Sequence, residues 1–236
     1  MPPLSPPLLS GEIHVWHLTA DAETITTVAA LLDDDERARA ARFVFARDRD
    51  LYVATRGWLR LLAGAYLAER PERLRFTEGT YGKPQLANDA AHLQFNVSHS
   101  GHRALLAFAV DRAVGVDIER IDERPETLAV AASVFTPPER HRLEQCPPGE
   151  RLATFFRLWT GKEAVLKAAG RGVSIPFQSF SVSPTNDLVI SDVIVLRSSL
   201  PPLLVQWLDA PAGYAAALAA EGPPWQLRVF HPGDSR

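Results

Sequence analysis

The most constraining feature of this 236-residue sequence is a pair of short segments that both carry acidic side chains. The first is Gly115–Glu119, in which Asp117 and Glu119 alternate with Val116 and Ile118. Side chains in a strand alternate between its two faces, so both carboxylates are predicted to project from one face. The alternative interpretation is that this pair is simply the solvated face of an edge strand.

The second segment is Trp159–Lys167, which is predicted to lie in a helix running from Arg151 to Ala169. At about 100° per residue, Glu163 falls in the middle of an apolar stripe about 80° wide, and Lys162 and Lys167 lie on the two edges of that stripe. Glu163 and Lys167 are one turn apart and share a side of the helix. The apolar residues of the stripe are Leu152, Phe156, Trp159 and Leu166.

Together, the two segments indicate a shared cation. A carboxylate that faces a core needs a partner, because an isolated buried charge is expensive. Acids on a nearby strand would raise that cost, unless Asp117, Glu119 and Glu163 share an ion. Three oxygen donors, without histidine or cysteine at a suitable spacing, suit Mg2+, or Mn2+ in its place, with phosphates as the usual co-ligand. The pattern therefore indicates phosphoryl chemistry. The alternative is that Glu163 and Lys167 form an ordinary surface pair.

The composition excludes several classes of protein. Hydrophobic residues make up 46% and charged residues 22% of the chain, values typical of a globular protein. The net charge of −3 gives no general attraction to nucleic acid. One cysteine, Cys146, excludes a disulfide framework and a cysteine-rich zinc site and favours a reducing cytoplasm. No apolar run of about 18 residues predicts a membrane span, and Met1–Pro7 does not resemble a signal peptide.

The order of predicted elements indicates the α+β class, because helices and strands do not alternate regularly. The two halves of the chain are similar in length, and the boundary is predicted near residue 114. In the first half the main predicted elements are a strand at Ile13–Leu18, a helix at Asp48–Glu69, and strands at Leu93–Val97 and Ala104–Val110. After the second acidic segment, strands are predicted at Phe180–Val182, Val193–Leu196, Leu203–Trp207, Tyr214–Leu218 and Gln226–Phe230.

Three further places are candidates for binding an anion. In Asn96–Gly101, Ser98 and His99 are predicted in a tight loop that offers N–H groups, hydroxyls and an imidazole. The alternative is that these polar residues only cap a hairpin. Lys83 lies on a turn before a proline, and Arg39 lies in an arginine-rich stretch, so either can pair with a phosphate. The alternatives are an ordinary surface lysine and arginines that balance neighbouring acids.

In combination, these motifs resemble the 4′-phosphopantetheinyl transferases, and specifically the broad-specificity, two-subdomain type that activates carrier proteins of peptide and polyketide synthases. The resemblance runs in order from about Arg37 to Phe180. The segments that carry it are Tyr81–Pro84, Asn96–Ser100, Gly115–Glu119, Phe135–Glu139 and Trp159–Lys167.

The resemblance implies two similar α+β subdomains related by a pseudo-twofold axis, residues 1–114 and 115–236, with the cofactor and metal site in the cleft between them. It implies transfer of 4′-phosphopantetheine from coenzyme A to a serine of an acyl or peptidyl carrier protein, with release of adenosine 3′,5′-bisphosphate. The expected enzyme is a monomeric cytoplasmic protein without nucleic acid or membrane partners.

The resemblance also assigns roles to individual residues. Asp117, Glu119 and Glu163 would hold Mg2+ against the pyrophosphate, and Lys167 would contact the phosphates and take part in proton transfer. Asp117, Glu163 and Lys167 are thus the predicted catalytic residues. The sequence leaves open whether Glu163, Lys167 or a metal-bound water removes the serine proton. The carrier protein is expected at Ile121–Glu139. The predicted coenzyme A ligands are Arg39, Lys83, Ser98, His99, Lys162 and Lys167.

Two other functions fit the same chemistry. One is a non-catalytic module that binds coenzyme A or a carrier protein, which the loss of a motif acid or lysine would favour. None of these motif residues is lost. The other is a Mg2+-dependent pyrophosphate hydrolase that uses water in place of serine. Release of phosphopantetheine from coenzyme A without an acceptor would distinguish it from a transferase.

Overall fold

The structure, a computed structural model, divides by its internal contacts into two compact units. One unit comprises Met1–Asp111 together with Trp225–Arg236, and the other comprises Arg112–Pro224. Each unit contains helices and a β-sheet, so the α+β class predicted from the sequence is confirmed. The residues that the structure describes are 7–79, 83–87, 92–123, 126–170, 175–182, 203–222 and 225–232.

Within its described residues, the first unit is built on a sheet of four strands, which lie side by side in the order β4 (Leu93–Ser100), β5 (Arg103–Val110), β1 (Glu12–Thr19) and β9 (Gln226–Phe230). In this sheet β1 pairs antiparallel with β5 and parallel with β9. The remaining strand, β4, is the antiparallel neighbour of β5. A separate antiparallel pair consists of β2 (Phe76–Glu78) and β3 (Pro84–Leu86).

The C-terminal strand is the point at which the observed units differ from the subdomains expected at residues 1–114 and 115–236. Strand β9 belongs to the sheet of the first unit, where the Phe230 ring stacks on the Trp16 ring with centroids 4.8 Å apart. A short strand does not reveal in its sequence which sheet edge it joins. Chain order alone placed it with the second half.

The described residues of the first unit include three α-helices, namely α1 (Ala22–Val28), α2 (Asp34–Ala41) and α3 (Ala46–Leu67). Helix α2 begins with a capping box in which Asp33 and Glu36 each accept a backbone N–H of the other residue. Helix α3 supplies one side of the core of this unit. Buried core residues include Trp16, Leu18, Trp58, Leu59, Leu62, Phe95 and Phe108.

In the part of the second unit that the structure describes, three strands form an antiparallel sheet beside one long helix. The sheet order is β6 (Val114–Arg120), β8 (Tyr214–Glu221) and β7 (Leu203–Leu208). Helix α7 (Arg151–Ala169) packs against all three strands, has the bounds predicted from the sequence, and ends at Gly170 with φ +64°. No helix in the described ranges is long and apolar enough to span a membrane. The shorter helices are α4 (Glu126–Ala129), α5 (Ala131–Val134) and α6 (Pro137–Gln145).

The predicted strand at Phe180–Val182 is wrong. These residues follow a 3-10 turn at Phe177–Ser179 and pair with no strand among the described residues. Their backbone groups bond to helix side chains instead: Glu139 accepts the N–H of residue 182, and Lys162 donates to the carbonyl of residue 180. The strand predicted at Val193–Leu196 lies outside the residues that the structure describes.

Candidate functional site

Asp117 on β6 and Lys167 on α7 form an ion pair in the second unit. Lys167 Nζ donates a hydrogen bond to Asp117 Oδ1 at 2.6 Å. Asp117 is only 2% exposed, whereas the Lys167 side chain is 27% exposed. The lysine therefore compensates a carboxylate that would be expensive to bury alone.

Gly115 brings the strand and the helix close enough for this pair to form. It lies two residues before Asp117 on β6, directly against the backbone of α7. A Cβ atom at this position would lie well inside 3.0 Å of the Ala164 carbonyl oxygen and the Ala168 nitrogen. Only glycine permits so close an approach of two backbones.

Glu163 lies one helical turn before Lys167 and is half-buried. Burial raises the pKa of Glu163 above its usual range, the nearby Asp117 carboxylate raises it further, and Lys167 lowers it. The two carboxylates are therefore close enough for the charge of Asp117 to disfavour ionisation of Glu163. A carboxylate with raised proton affinity is a suitable general base.

The face of α7 that carries Glu163 differs from the sequence prediction. Trp159, Glu163 and Lys167 form a half-open strip along the helix, whereas Leu158 and Val165 on another face are fully buried. The predicted apolar stripe assumed that one face of the helix is buried. In the structure α7 contacts the sheet and also α6, so burial extends around most of its circumference.

Lys162 is the clearest correction among the predicted coenzyme A ligands. Its side chain is 0% exposed, and its ammonium donates to the carbonyl oxygens of Phe177 at 2.7 Å and Phe180 at 2.5 Å. It also forms an ion pair with Glu139 Oε2 at 3.0 Å. Burial lowers the pKa of Lys162, and the Glu139 carboxylate opposes that shift. An ammonium has three N–H groups, so these partners use all of them and leave none for a phosphate.

The expected metal ligands are not grouped as a metal site in this structure. Glu119 is half-buried and lies two residues after Asp117, on the same face of β6. Within the described residues, no group of three or more His, Cys, Asp or Glu side chains is placed to hold a metal ion. The donor chemistry still fits a hard cation, since all three groups are carboxylates and two of them repel each other.

Ser98 and His99 lie on a strand instead of in the predicted loop. Strand β4 continues through both residues to Ser100, and the turn follows at Gly101, which has φ +62°. Ser98 is buried and His99 is exposed, as expected for neighbours that project from opposite faces of a sheet. The predicted loop is therefore wrong for these two residues, whereas their roles in coenzyme A binding stay predictions.

Arg39 and Lys83 also lie in the first unit. Arg39 is exposed on α2, where its Nη1 is 3.6 Å from Glu78 Oε1 and its guanidinium is 5.3 Å from the centre of the Tyr52 ring. Lys83 is half-buried and directly precedes β3. The preceding Tyr81 and Gly82 of the same motif lie outside the described residues. The roles of Arg39 and Lys83 in coenzyme A binding stay predictions.

Two buried polar clusters were not found by reasoning from the sequence. Arg60 is 0% exposed and donates to Asp33 and Glu36 at the start of α2. Glu139 at the start of α6 pairs with Lys162. The only signal in the sequence is the capping-box spacing at each helix start. That spacing predicts an acid near the first turn and does not reveal its distant cationic partner.

The fold and the site define a class of protein: a chain with two α+β units that brings carboxylates and a lysine together on a strand and a helix of the second unit. Comparison with known protein families identifies this class along nearly the whole chain. Residues 16–111 match the N-terminal family of the 4′-phosphopantetheinyl transferases, and residues 113–219 match the 4′-phosphopantetheinyl transferase superfamily.

Individual proteins with similar sequences support the assignment to this family. The chain is 34% identical to the 4′-phosphopantetheinyl transferase HetI of Nostoc sp. over 95% of this chain and 94% of that protein. It is 30% identical to a 4′-phosphopantetheinyl transferase of Bacillus subtilis over 82% of this chain and 84% of the relative. With Sfp of Bacillus subtilis it shares 34% identity over 64% of each chain. The protein belongs to the 4′-phosphopantetheinyl transferase superfamily, as its sequence motifs predicted.

Proposed function

We propose that the protein transfers the 4′-phosphopantetheine group from coenzyme A to a serine of an acyl or peptidyl carrier protein and releases adenosine 3′,5′-bisphosphate. Its membership of the transferase superfamily supports this proposal. The structural observation that carries it is the meeting of Asp117, Glu163 and Lys167 where β6 packs on α7.

The proposed reaction is one displacement at phosphorus. The serine oxygen forms a bond to the phosphorus attached to the pantetheine arm, and the P–O bond from that phosphorus to the second phosphate breaks. The electron pair of this bond leaves with adenosine 3′,5′-bisphosphate, and the serine proton passes to a base. Glu163 and Lys167 are the candidate bases: burial raises the pKa of Glu163, whereas a bound cation would oppose that shift. The positive charge of Lys167 stabilises the negative charge on the phosphate oxygens.

We propose that Asp117, Glu119 and Glu163 hold a magnesium ion, which Mn2+ could replace. Carboxylates are the protein ligands that such hard cations prefer. When bound, the ion would neutralise charge on the pyrophosphate and so make the phosphorus easier to attack. Lys167 also provides positive charge beside Asp117.

We propose that the carrier protein binds along Ile121–Glu139, and the exposed side chains described in this stretch, at 121–123 and 127–139, are here called the acceptor surface. Two apolar side chains, Leu128 and Val130, are 39% and 42% exposed there. Exposed basic side chains follow on α6, namely His141 and Arg142. Apolar groups beside cations are suited to bind and steer a partner that carries acidic residues.

Transfer is tested with purified apo carrier proteins, coenzyme A and MgCl2, by mass spectrometry of the intact carrier. The expected result is a mass gain of one phosphopantetheine group on a serine. Asp117→Asn and Glu163→Gln are each expected to lower the transfer rate by about 100-fold or more, because each removes a charge that acts on the reacting phosphate. Asp209→Asn, at an exposed carboxylate of the same unit, is the matched control.

Other outcomes would indicate a different function. Release of phosphopantetheine from coenzyme A alone would indicate a hydrolase. Tight binding of coenzyme A without transfer to any apo carrier protein would indicate a non-catalytic module. Chelation of divalent ions by EDTA is expected to stop transfer, and activity that survives chelation would contradict the magnesium proposal.

We further propose a monomeric enzyme of the cytoplasm that acts on carrier proteins and has no nucleic acid or membrane partner. The net charge of −3 gives no general attraction to a phosphate backbone. The single cysteine, Cys146, is half-buried with a free thiol, as suits a reducing compartment. Size-exclusion chromatography with light scattering tests the oligomeric state, and a mass of twice 26.0 kDa would contradict it.

A further inference from the structure

The buried pair of Lys162 and Glu139, here called the Lys162–Glu139 pair, connects three separate segments of the second unit. Lys162 is on α7, Glu139 is on α6, and the carbonyl oxygens that Lys162 contacts belong to Phe177 and Phe180. Glu139 Oε1 in turn accepts the N–H of Val182 at 2.7 Å. The segment 175–182 is thus held at three points by one ion pair.

The same pair fixes the start of α6. Glu139 Oε2 accepts the backbone N–H of Thr136 at 2.8 Å and its hydroxyl at 2.9 Å. The Thr136 hydroxyl also bonds to the Ser181 hydroxyl at 2.8 Å, which joins α6 directly to the segment 175–182. Four bonds of this cluster have a main-chain group as one partner and so restrain backbone position: those to the carbonyls of Phe177 and Phe180, and those from the N–H groups of Thr136 and Val182.

Two residues adjacent to these contacts reach the acceptor surface. Gln178, next to Phe177, donates from Nε2 to the Ala132 carbonyl oxygen at 2.7 Å. Arg140, next to Glu139, donates from Nη1 to the same oxygen at 3.2 Å. Ala132 is on α5, two residues after the exposed Val130. One carbonyl of the acceptor surface is therefore held from both sides by neighbours of the Lys162–Glu139 pair.

The pair also lies close to the reacting groups along the helix. Lys162 directly precedes Glu163, and the Phe177 ring stacks on the Trp159 ring with centroids 5.5 Å apart. Trp159 is one turn before Glu163 on the half-open strip of α7. The cluster thus connects the acceptor surface to the part of α7 that carries the candidate base Glu163.

We propose that Lys162 and Glu139 are positioning residues that hold the acceptor surface in the geometry required by the carrier protein. The proposal rests on the proposed transferase function. A buried ion pair is a costly way to gain stability, since apolar residues of similar volume are often as stable or more so. What the pair provides here is a set of directional hydrogen bonds that fix the backbone at residues 177 and 180. A methionine at position 162 would fill the same space, but it has no N–H to donate to these carbonyls.

The test measures steady-state kinetics of Lys162→Met and Gln178→Ala, with the concentrations of coenzyme A and apo carrier protein varied separately. Lys162→Met is expected to raise the KM for the carrier protein by about tenfold, the effect expected for a moderate loss of binding free energy. The KM for coenzyme A is expected to stay within about twofold of wild type, because no N–H of Lys162 faces a ligand. Gln178→Ala is also expected to raise the KM for the carrier protein, by a smaller factor. The matched control is Gln145→Ala, at an exposed position on α6.

A second measurement does not depend on activity. Amide hydrogen exchange at Val182 and across α5 is expected to be faster in Lys162→Met than in wild type. Val182 is bonded to Glu139, and α5 is bonded to Arg140 and Gln178, which are neighbours of the pair and of its contacts. A raised KM for coenzyme A with an unchanged KM for the carrier would overturn the proposal and restore Lys162 as a donor ligand. Loss of thermal stability with both KM values unchanged would overturn it as well.

The outcomes separate this proposal from the transferase function. If the wild-type protein labels no apo carrier protein, the proposed function has failed and the positioning role falls with it. If wild type labels the carrier and both variants keep its KM, only the positioning role has failed. Gln178 is exposed, so its variant still decides the question if Lys162→Met does not fold.

Discussion

Two lysines on one helix have opposite environments in this protein. Lys162 is fully buried and uses its three donors within the protein, whereas Lys167 is partly exposed and contacts Asp117. Both residues lie in the motif that indicates the family, and their side chains are chemically identical. Burial and partners therefore separate a lysine that holds the backbone from one that is partly exposed and pairs with a carboxylate.

The ion pair between Asp117 and Lys167 leads to a prediction for stability. Lys167→Met is expected to lower the free energy of unfolding by about 2 kcal/mol, because it leaves the Asp117 carboxylate buried without its cation. The expected loss is below the usual range for a buried pair, since the Lys167 side chain is 27% exposed. The double variant with Asp117→Asn should recover most of that loss. Urea unfolding at pH 7 measures both values, and equal losses in the single and double variants would contradict the prediction.

At the residue scale, the sequence predicted which charged groups lie near one another better than it predicted their surroundings. Strand alternation, helical spacing and the family resemblance together predicted a group that contains Asp117, Glu163 and Lys167, and the structure places the first and last in contact. Their catalytic roles stay predictions. The burial of Lys162 could not be predicted, because its partners are Glu139 and the carbonyls of a segment far away in sequence.

At the scale of elements, the packing of β6 on α7 determines the site. Gly115 is the point of closest approach, where the backbones of strand and helix leave no room for a side chain. The spacing from Gly115 to Asp117 then places the carboxylate opposite the last turn of the helix, where Lys167 lies. A small residue in one element thus fixes the distance between charged groups on two elements.

Gly115→Ala tests this packing. The added methyl group has no space between β6 and α7, so the elements must separate, and we expect a loss of about 3 kcal/mol of stability, at the upper end for overpacking. The transfer rate is expected to fall as well, because the contact between Asp117 and Lys167 lengthens. Gly149→Ala is the matched control, since a Cβ atom at position 149 meets nothing within 4 Å. Thermal unfolding of both variants measures the difference, and equal midpoints would show that the close approach is not needed.

Helix bounds were easier to predict than the ends and partners of strands. The bounds of α7 follow from its apolar pattern and from Gly170, both of which are local signals. Ser98 and His99 were assigned to a loop because Ser, His and Gly are common in turns, yet pairing with β5 extends β4 to Ser100. Partners distant in sequence override a weak local preference.

At the scale of the whole chain, the first and last described strands, β1 and β9, pair in one sheet. The buried His14 side chain on β1 contacts a side chain of β9. His14 on β1 is buried, with Nε2 3.2 Å from Glu12 Oε2 and Nδ1 2.8 Å from the Tyr66 hydroxyl. Glu12 only accepts, so Nε2 carries the proton, and the Tyr66 hydroxyl donates to Nδ1. The His14 ring also contacts Phe230 on the last strand, with centroids 4.9 Å apart.

Family and fold class could be predicted for the whole chain, whereas the assignment of the final strand could not. The motifs are short and occur in a fixed order, so they can be identified in the sequence without knowledge of the tertiary contacts. The parallel pairing of β9 with β1 joins residues separated by almost the entire chain. Such a contact leaves no periodic signal in the sequence near either strand.

The buried histidine gives the last prediction, a dependence of stability on pH. Burial lowers the pKa of His14 below its usual value, and the Arg228 charge acts in the same direction, whereas Glu12 opposes it. The unfolded chain therefore binds a proton near pH 6.5, where the folded protein does not. The stability contributed by neutral His14 is present above about pH 6.5 and is lost as the pH falls through the lower folded-state pKa.

Urea unfolding of wild type and His14→Gln between pH 7.5 and about 5.5 measures this contribution. The free energy of unfolding should decline with falling pH more steeply in wild type than in the variant. Glu163, whose pKa is raised, contributes with the opposite sign in both proteins, so the difference between them isolates the histidine. His141→Gln, at an exposed position of α6, controls for the loss of an imidazole. Parallel curves for wild type and His14→Gln would mean that His14 takes up its proton equally in the folded and unfolded chain.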